Sequence, residues 1–181
     1  MKSDKTVVIV DHPNYDQSVA NRRFVEELRK YPDDIIIHNL QSAYPTGHID
    51  SSKEHCLIDN NGSLVFQFPV YWFSCPPKTK EWLDKVLTAG WAFKGGEHLA
   101  GKKVAIAVTT GSEEAAYSAE GRHHRKIEDY FAFMLRAFEM CKADYVGIYA
   151  LHGLNDKEIV NAQAIAQGAK DYVEFLKKVH Q

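Results

Sequence analysis

Residues 66–93 read FQFPVYWFSCPPKTKEWLDKVLTAGWAF, and the order of residue types in this stretch decides the fold class. Its first residues complete an apolar run, SLVFQF (63–68), in which only Gln67 has a bulky polar side chain. A run without polar alternation predicts a strand covered on both faces, as in a parallel sheet. Pro69 has no N–H to donate and ends the ladder. Pro76 and Pro77 then suit a helix start, followed by Trp82, Leu83, Val86 and Leu87 at helical spacing. Between strand and helix lie Tyr71, Trp72 and Phe73. Core packing is one explanation for such a cluster. Three adjacent loop residues cannot all face one core, however, and a flat aromatic ligand gives their ring faces a purpose.

The same punctuation extends in both directions. TVVIV (6–10), DIIIHN (34–39), KVAIAV (103–108) and YVGIY (145–149) are further short apolar runs. Helical patterns separate them. Ser18 is placed to cap a helix carrying Ala20, Phe24, Val25 and Leu28 on one side. Ile127, Tyr130, Phe131, Met134, Leu135 and Phe138 form a second stripe. Asn155 and Glu158 are spaced as a capping box for a last helix carrying Ile159, Ala162, Ile165, Ala169, Val173 and Leu176. Region 40–60 is polar and reads as a long loop with a short helix near Ser52–Ile58. Five strands alternating with helices predict a doubly wound α/β domain. In such sheets ligands bind in the crevice beyond the carboxyl ends of the strands.

Bulk properties exclude several function classes. A length of 181 residues suits one domain, residues 1–181, and 45% hydrophobic content is that of an ordinary globular chain. A net charge of −2 supplies neither a basic field for nucleic acid nor a polybasic membrane anchor. Cys56, Cys75 and Cys141 are odd in number and far apart, so no disulfide framework and no metal site is expected, and reduced thiols in a cytoplasmic protein are the simplest reading. The apolar run Val7–Val10 is too short for a signal peptide or a membrane span.

The loops after the first, third and fourth strands carry the candidate chemistry. DHPNYDQSVANR (11–22) lacks both glycine-rich phosphate cradles, yet it offers His12, Gln17, Ser18 and the free N–H groups of a helix start. A plain loop with a serine cap and an anion site both fit it. In TTGSEEAAYSAEGRHHRK (109–126), Thr109, Thr110, Gly111 and Ser112 form a donor-rich turn, with Gly111 permitting close backbone approach. Tyr117 and His123 lie six residues apart in an irregular segment. A phenol and an imidazole can each donate to a developing oxyanion or pass a proton; packing of Tyr117 and solvation of His123 are the alternative.

Together the segments HP…SVANR, 66–93 and GKKVAIAVTTGSEEAAYSAEG (101–121) resemble the flavodoxin-like NAD(P)H dehydrogenase (quinone) family, which includes the DT-diaphorase type of quinone reductase. The short length resembles its bacterial branch, which includes regulatory subunits of glutathione-gated potassium efflux systems. The resemblance implies a flavodoxin-like five-stranded parallel sheet with helices on both faces, and a bound flavin, FMN ahead of FAD. His12 and Ser18, with Val19 and Ala20 beside them, match positions that bind the phosphate end. Pro69, Val70, Trp72 and Phe73 match the segment lining the isoalloxazine ring. Thr109, Thr110, Gly111 and Ser112 match the second flavin-contacting turn, Ser112 standing where the family often has a second glycine. Tyr117 and His123 match the pair that assists hydride transfer.

The resemblance further implies an NAD(P)H-dependent enzyme reducing quinones or other small electrophiles by ping-pong kinetics, acting in the cytoplasm as a homodimer. Trp91 and its neighbours in GWAF (90–93) belong to that dimer surface or to the core. A different reading is a regulatory partner of a membrane transporter, with incidental reductase activity. A flavodoxin-type electron carrier ranks last, since it would be more acidic and would not need Tyr117 and His123.

Overall fold

The computed structural model describes residues 3–155 and 161–180. Five strands form one parallel sheet in the order β2-β1-β3-β4-β5: β1 Thr6–Val10, β2 Ile35–Asn39, β3 Ser63–Pro69, β4 Lys103–Thr109 and β5 Asp144–Leu151. The helices are α1 Ala20–Leu28, α2 Leu40–Ala43, α3 Ser51–Asp59, α4 Pro77–Val86, α5 Ala132–Met140 and α6 Ala162–His180. This is the flavodoxin-like arrangement, and every expected strand is present. The three central strands are buried almost throughout, whereas edge strands β2 and β5 are half-exposed. β3 extends through Pro69, which pairs with Thr109, and Val70 donates its N–H to Thr109. A proline fits there because it is the last residue of the ladder.

Alternate residues feed two cores. Val7, Ile9, Leu64, Phe66, Phe68, Val104, Ile106 and Val108 face Trp82, Phe131, Met134 and Phe138 of the α4 and α5 side. Val8, Val10, Val65, Ala105 and Ala107 face Phe24, Leu28, Tyr172 and Leu176 of α1 and α6. The small side chains Ala105 and Ala107 leave room for α6 to lie close on the sheet. A bulge opposite Val104 and Ala105 disturbs the register of β5 and leaves Val146 exposed.

Several expectations change. Region 40–60 holds two helices, α2 and α3, each started by a side-chain cap: Asn39 Oδ1 accepts from Gln41 and Ser42, and Asp50 Oδ1 from Ser52 and Lys53. The stripe from Ile127 begins as a 3₁₀ turn, Ile127–Phe131, before α5 starts. The last helix is capped by Asn161, whose Oδ1 accepts from Gln163 and Ala164 at 3.0 Å each. Asn155, the first residue of the expected capping box, lies in the loop after β5, its N–H donating to Gly111 O. Glu158 and Ile159 fall outside the described residues. Trp91 and Ala92 are core, with the Trp91 ring stacked 3.7 Å from His55. Among the described residues no helix is long and apolar enough to cross a membrane, and no group of three His, Cys, Asp or Glu could hold a metal ion.

Candidate active site

Four loops meet at the carboxyl ends of the strands: those after β1, β3, β4 and β5. Asp11 closes β1 and is buried. Its Oδ2 accepts from the Thr79 N–H and hydroxyl, both at 2.8 Å, and its Oδ1 from Gln41 Nε2 at 2.8 Å. Pro76 cannot cap α4 with its side chain, so a carboxylate from β1 supplies the negative charge that a helix N-terminus favours. That tertiary cap fixes the start of α4 and hence the aromatic loop before it. Burial pushes the neighbouring Cys75 thiol up to about 11.

The loop after β1 presents donors. Ser18 Oγ accepts from the Asn21 N–H at 3.2 Å, as a cap should. The amides of Val19 and Ala20 are left without a partner among the described residues. Val19 is exposed and Ala20 is buried. His12 Nδ1 accepts from the Asn14 N–H at 3.2 Å, so the neutral ring carries its proton on Nε2. Burial lowers the His12 pKa against the opposing charge of Asp11.

The loop after β3 is a tight turn. Tyr71 and Ser74 exchange backbone hydrogen bonds of 3.0 Å in each direction, and the two residues between them, Trp72 and Phe73, have φ of 47° and 60°. Left-handed φ at both central positions marks a primed turn, normally built from Asn and Gly. Two bulky aromatics there store backbone strain. Trp72 is 94% exposed, so its ring has no core role.

The loop after β4 brings Tyr117 and His123 together, ring centroids 4.8 Å apart. A 3₁₀ turn, Glu114–Ala116, and the bond from the His123 N–H to Ala116 O fold the segment back on itself. Gly121 permits that closure, since a Cβ there would lie 2.2 Å from Ala115 O. Phe73 reaches across from the other loop, 5.0 Å from the His123 ring and stacked at 5.0 Å on Tyr130. The Tyr130 hydroxyl donates to His123 O at 3.0 Å, and His123 Nε2 lies 3.0 Å from Ser112 Oγ.

The two threonines of the turn are engaged internally. Thr109 Oγ1 accepts from Asn21 Nδ2 at 2.9 Å, and Gln67 Nε2 donates to Asn21 O at 3.2 Å, which pins the start of α1 to β3 and β4. Thr110 is buried and its hydroxyl donates to Ser112 O. The close approach that Gly111 allows is made by Asn155, whose amide nitrogen would meet a Cβ at 2.3 Å. The amides of Trp72, Phe73, Gly111 and Ser112 have no partner among the described residues. The crevice thus offers unpaired N–H donors beside aromatic rings, a donor set that suits a flat heteroaromatic with an anionic tail.

Sequence reasoning missed Asp11, Asn21, Thr79 and His152, and assigned Tyr130 only to a packing stripe. A buried acid ending a central strand was a signal for Asp11; the others become neighbours only through the fold.

Comparison with known proteins agrees with this architecture. The family model described as flavodoxin-like fold matches residues 4–176. The Bacillus subtilis protein named "uncharacterized NAD(P)H oxidoreductase YrkL" is 36% identical over 179 residues, covering 97% of this chain and 99% of that one. The glutathione-regulated potassium-efflux system ancillary protein KefG of Cronobacter sakazakii is 39% identical over 140 residues, 77% of this chain and 73% of that one. General stress protein 14 of Treponema denticola, solved in complex with FMN, superposes with a TM-score of 0.91 at 37% identity, covering 97% of this chain and 99% of that one. The chain therefore belongs to the flavodoxin-like fold family.

Proposed function

We propose that this protein is a flavin-dependent NAD(P)H oxidoreductase that reduces quinones or related electrophiles by two electrons, with one pocket serving both substrates in turn. The observation that carries the reading is the Tyr117–His123 ring pair, held 4.8 Å apart beside the strained Trp72–Phe73 turn. The FMN complex of the Treponema denticola relative and the oxidoreductase name of the Bacillus subtilis one support it.

FMN is the proposed cofactor, ahead of FAD, within one domain spanning residues 1–181. His12, Ser18 and the amides of Val19 and Ala20 would hold its phosphate. Pro69, Val70, Trp72 and Phe73 would line one side of the ring system, and the 109–112 turn, through Gly111 and Ser112, the polar edge. When bound, the flavin supplies hydride acceptance from NAD(P)H and hydride delivery to the acceptor. The protein's part is to orient the reactants, exclude water and place the Tyr117 hydroxyl and the His123 imidazole where negative charge develops. Donors aimed at charge that appears only in the transition state raise the rate without tightening the ground state.

We also propose a homodimer in the cytoplasm. The similarity to KefG favours a second reading, a regulatory subunit of a potassium efflux transporter, in which case the protein should copurify with a transporter. The primary test is an absorption spectrum of protein reconstituted with FMN or FAD, followed by identification of the released cofactor. Bound flavin bleached by NAD(P)H and reoxidised by a simple quinone is expected; no bound flavin absorbance would overturn the reading.

A further inference from the structure

Two imidazole rings lie beside Tyr117. His123 lies 4.8 Å away at an interplanar angle of 47°, and His152, the first residue after β5, lies 5.2 Å away at 39°. The two imidazoles are both tied by hydrogen bonds to the turn after β4, one to Ser112 and the other to Thr110. His123 Nε2 meets Ser112 Oγ at 3.0 Å, Ser112 O accepts from the Thr110 hydroxyl at 2.7 Å, and Thr110 Oγ1 meets His152 Nδ1 at 3.0 Å. The Gly153 N–H, next to His152, also donates to Ser112 O at 2.8 Å.

The directions of these bonds follow from proton counting. A threonine hydroxyl has one hydrogen. Thr110 gives it to Ser112 O, a pure acceptor, so toward His152 the hydroxyl can only accept. His152 must therefore carry a proton on Nδ1, and in the neutral ring Nε2 is bare. Burial lowers the His152 pKa, with Glu114 opposing, and so favours the neutral ring. A neutral imidazole fixed through Nδ1 holds one orientation, so it can act as a stop for a neighbouring ring.

We propose that His152 is a positioning residue for the same reaction, locked as its Nδ1–H tautomer by Thr110 and packed as a brace against the Tyr117 ring beside His123. This role rests on the functional reading above and adds to it a residue from the loop after β5. Tyr117 stands on a loop, so a ring held at the end of β5 by its bond to Thr110 removes freedom that would blur the aim of its hydroxyl.

The first test needs no flavin. Long-range ¹H–¹⁵N spectra of the histidine rings in the apoprotein should show His152 protonated on Nδ1, and Thr110→Val should abolish that preference. An Nε2–H tautomer in the wild type would overturn the proposal. The second test uses flavin-loaded protein. His152→Ala should lower the limiting rate of flavin reduction about tenfold, as a small misplacement of a reacting group does, with the dissociation constants for flavin and NAD(P)H within about threefold. Placed on Tyr117→Phe, where the hydroxyl is already gone, it should add little. An unchanged rate, or a loss that multiplies with that of Tyr117→Phe, would overturn the bracing role. A wild-type protein that takes up no flavin would sink the functional reading, and this role with it, whatever the tautomer.

Discussion

Two tryptophans ten residues apart show how one residue type serves opposite ends. Trp82, on α4, is fully buried and donates its indole N–H to Glu54 Oε2 at 2.6 Å. Trp72 stands 94% exposed on a left-handed backbone. Around Trp82 every polar group is answered: Glu54 Oε1 also accepts from His38 Nε2 at 2.8 Å and from the Tyr44 hydroxyl at 2.5 Å. These bonds tie β2, α3, α4 and the segment after α2 together around one buried carboxylate. Around Trp72 the backbone donors are unpaired, the turn is strained, and the aromatic rings nearby are half-exposed. The first region is saturated and holds the fold; the second keeps unused bonding capacity, which is what a ligand site requires.

The comparison breaks most visibly at Glu54. Burial by itself would raise its carboxyl, but the hydrogen bonds from His38, Tyr44 and Trp82 outweigh that and hold it below the ordinary value of 4.5. A depressed folded-state pKa means that the unfolded chain binds the proton more tightly. The stabilisation is therefore present above about pH 4.5 and lost as pH falls through the folded value. Glu54→Ala, which strands the buried donors of Tyr44 and Trp82 and the half-buried one of His38, should cost about 3–5 kcal/mol in denaturant melts. Its stability should also fall less than that of the wild type on acidification below pH 4.5. A cost under about 1 kcal/mol would show that water satisfies the cluster.

At the site the expected loss is of rate. Tyr117→Phe combined with His123→Gln should slow reduction of bound flavin by about 10²-fold, the lower end for groups of this type, while denaturant midpoints and flavin affinity stay close to wild type. Stopped-flow reduction at saturating NAD(P)H measures it. An unchanged rate would assign the pair to packing.

The smallest effect is expected at Trp72, and its sign sharpens the contrast. Trp72→Gly relieves a left-handed strain of about 1–2 kcal/mol and gives part of it back as chain entropy. The apoprotein should keep its stability or gain up to about 1 kcal/mol, whereas flavin affinity should fall. A loss of about 3–5 kcal/mol in calorimetry, the usual cost of deleting a core aromatic, would place Trp72 in the fold's framework instead.

The sequence by itself determined the sheet. Its apolar runs are continuous because central parallel strands are covered on both faces, and a proline marks the last paired residue of β3. It also determined the order of strand and helix, and it placed the reactive candidates on the loops that follow strands. Local capping was legible at Ser18 and at the start of α4, because those signals act over three or four residues. The cap that Asn161 makes at the start of α6 was not singled out, because the sequence after β5 offers two asparagines, Asn155 and Asn161, with the same side chain.

Tertiary structure alone decided the contacts over long sequence separations: Asp11 capping α4, Asn21 joining Gln67 to Thr109, and the ring of His152 against Tyr117. Such pairs have no period and no fixed spacing. Hydrophobic burial brings their elements together, and the cost of leaving a buried polar atom unpaired then selects which side chains must meet.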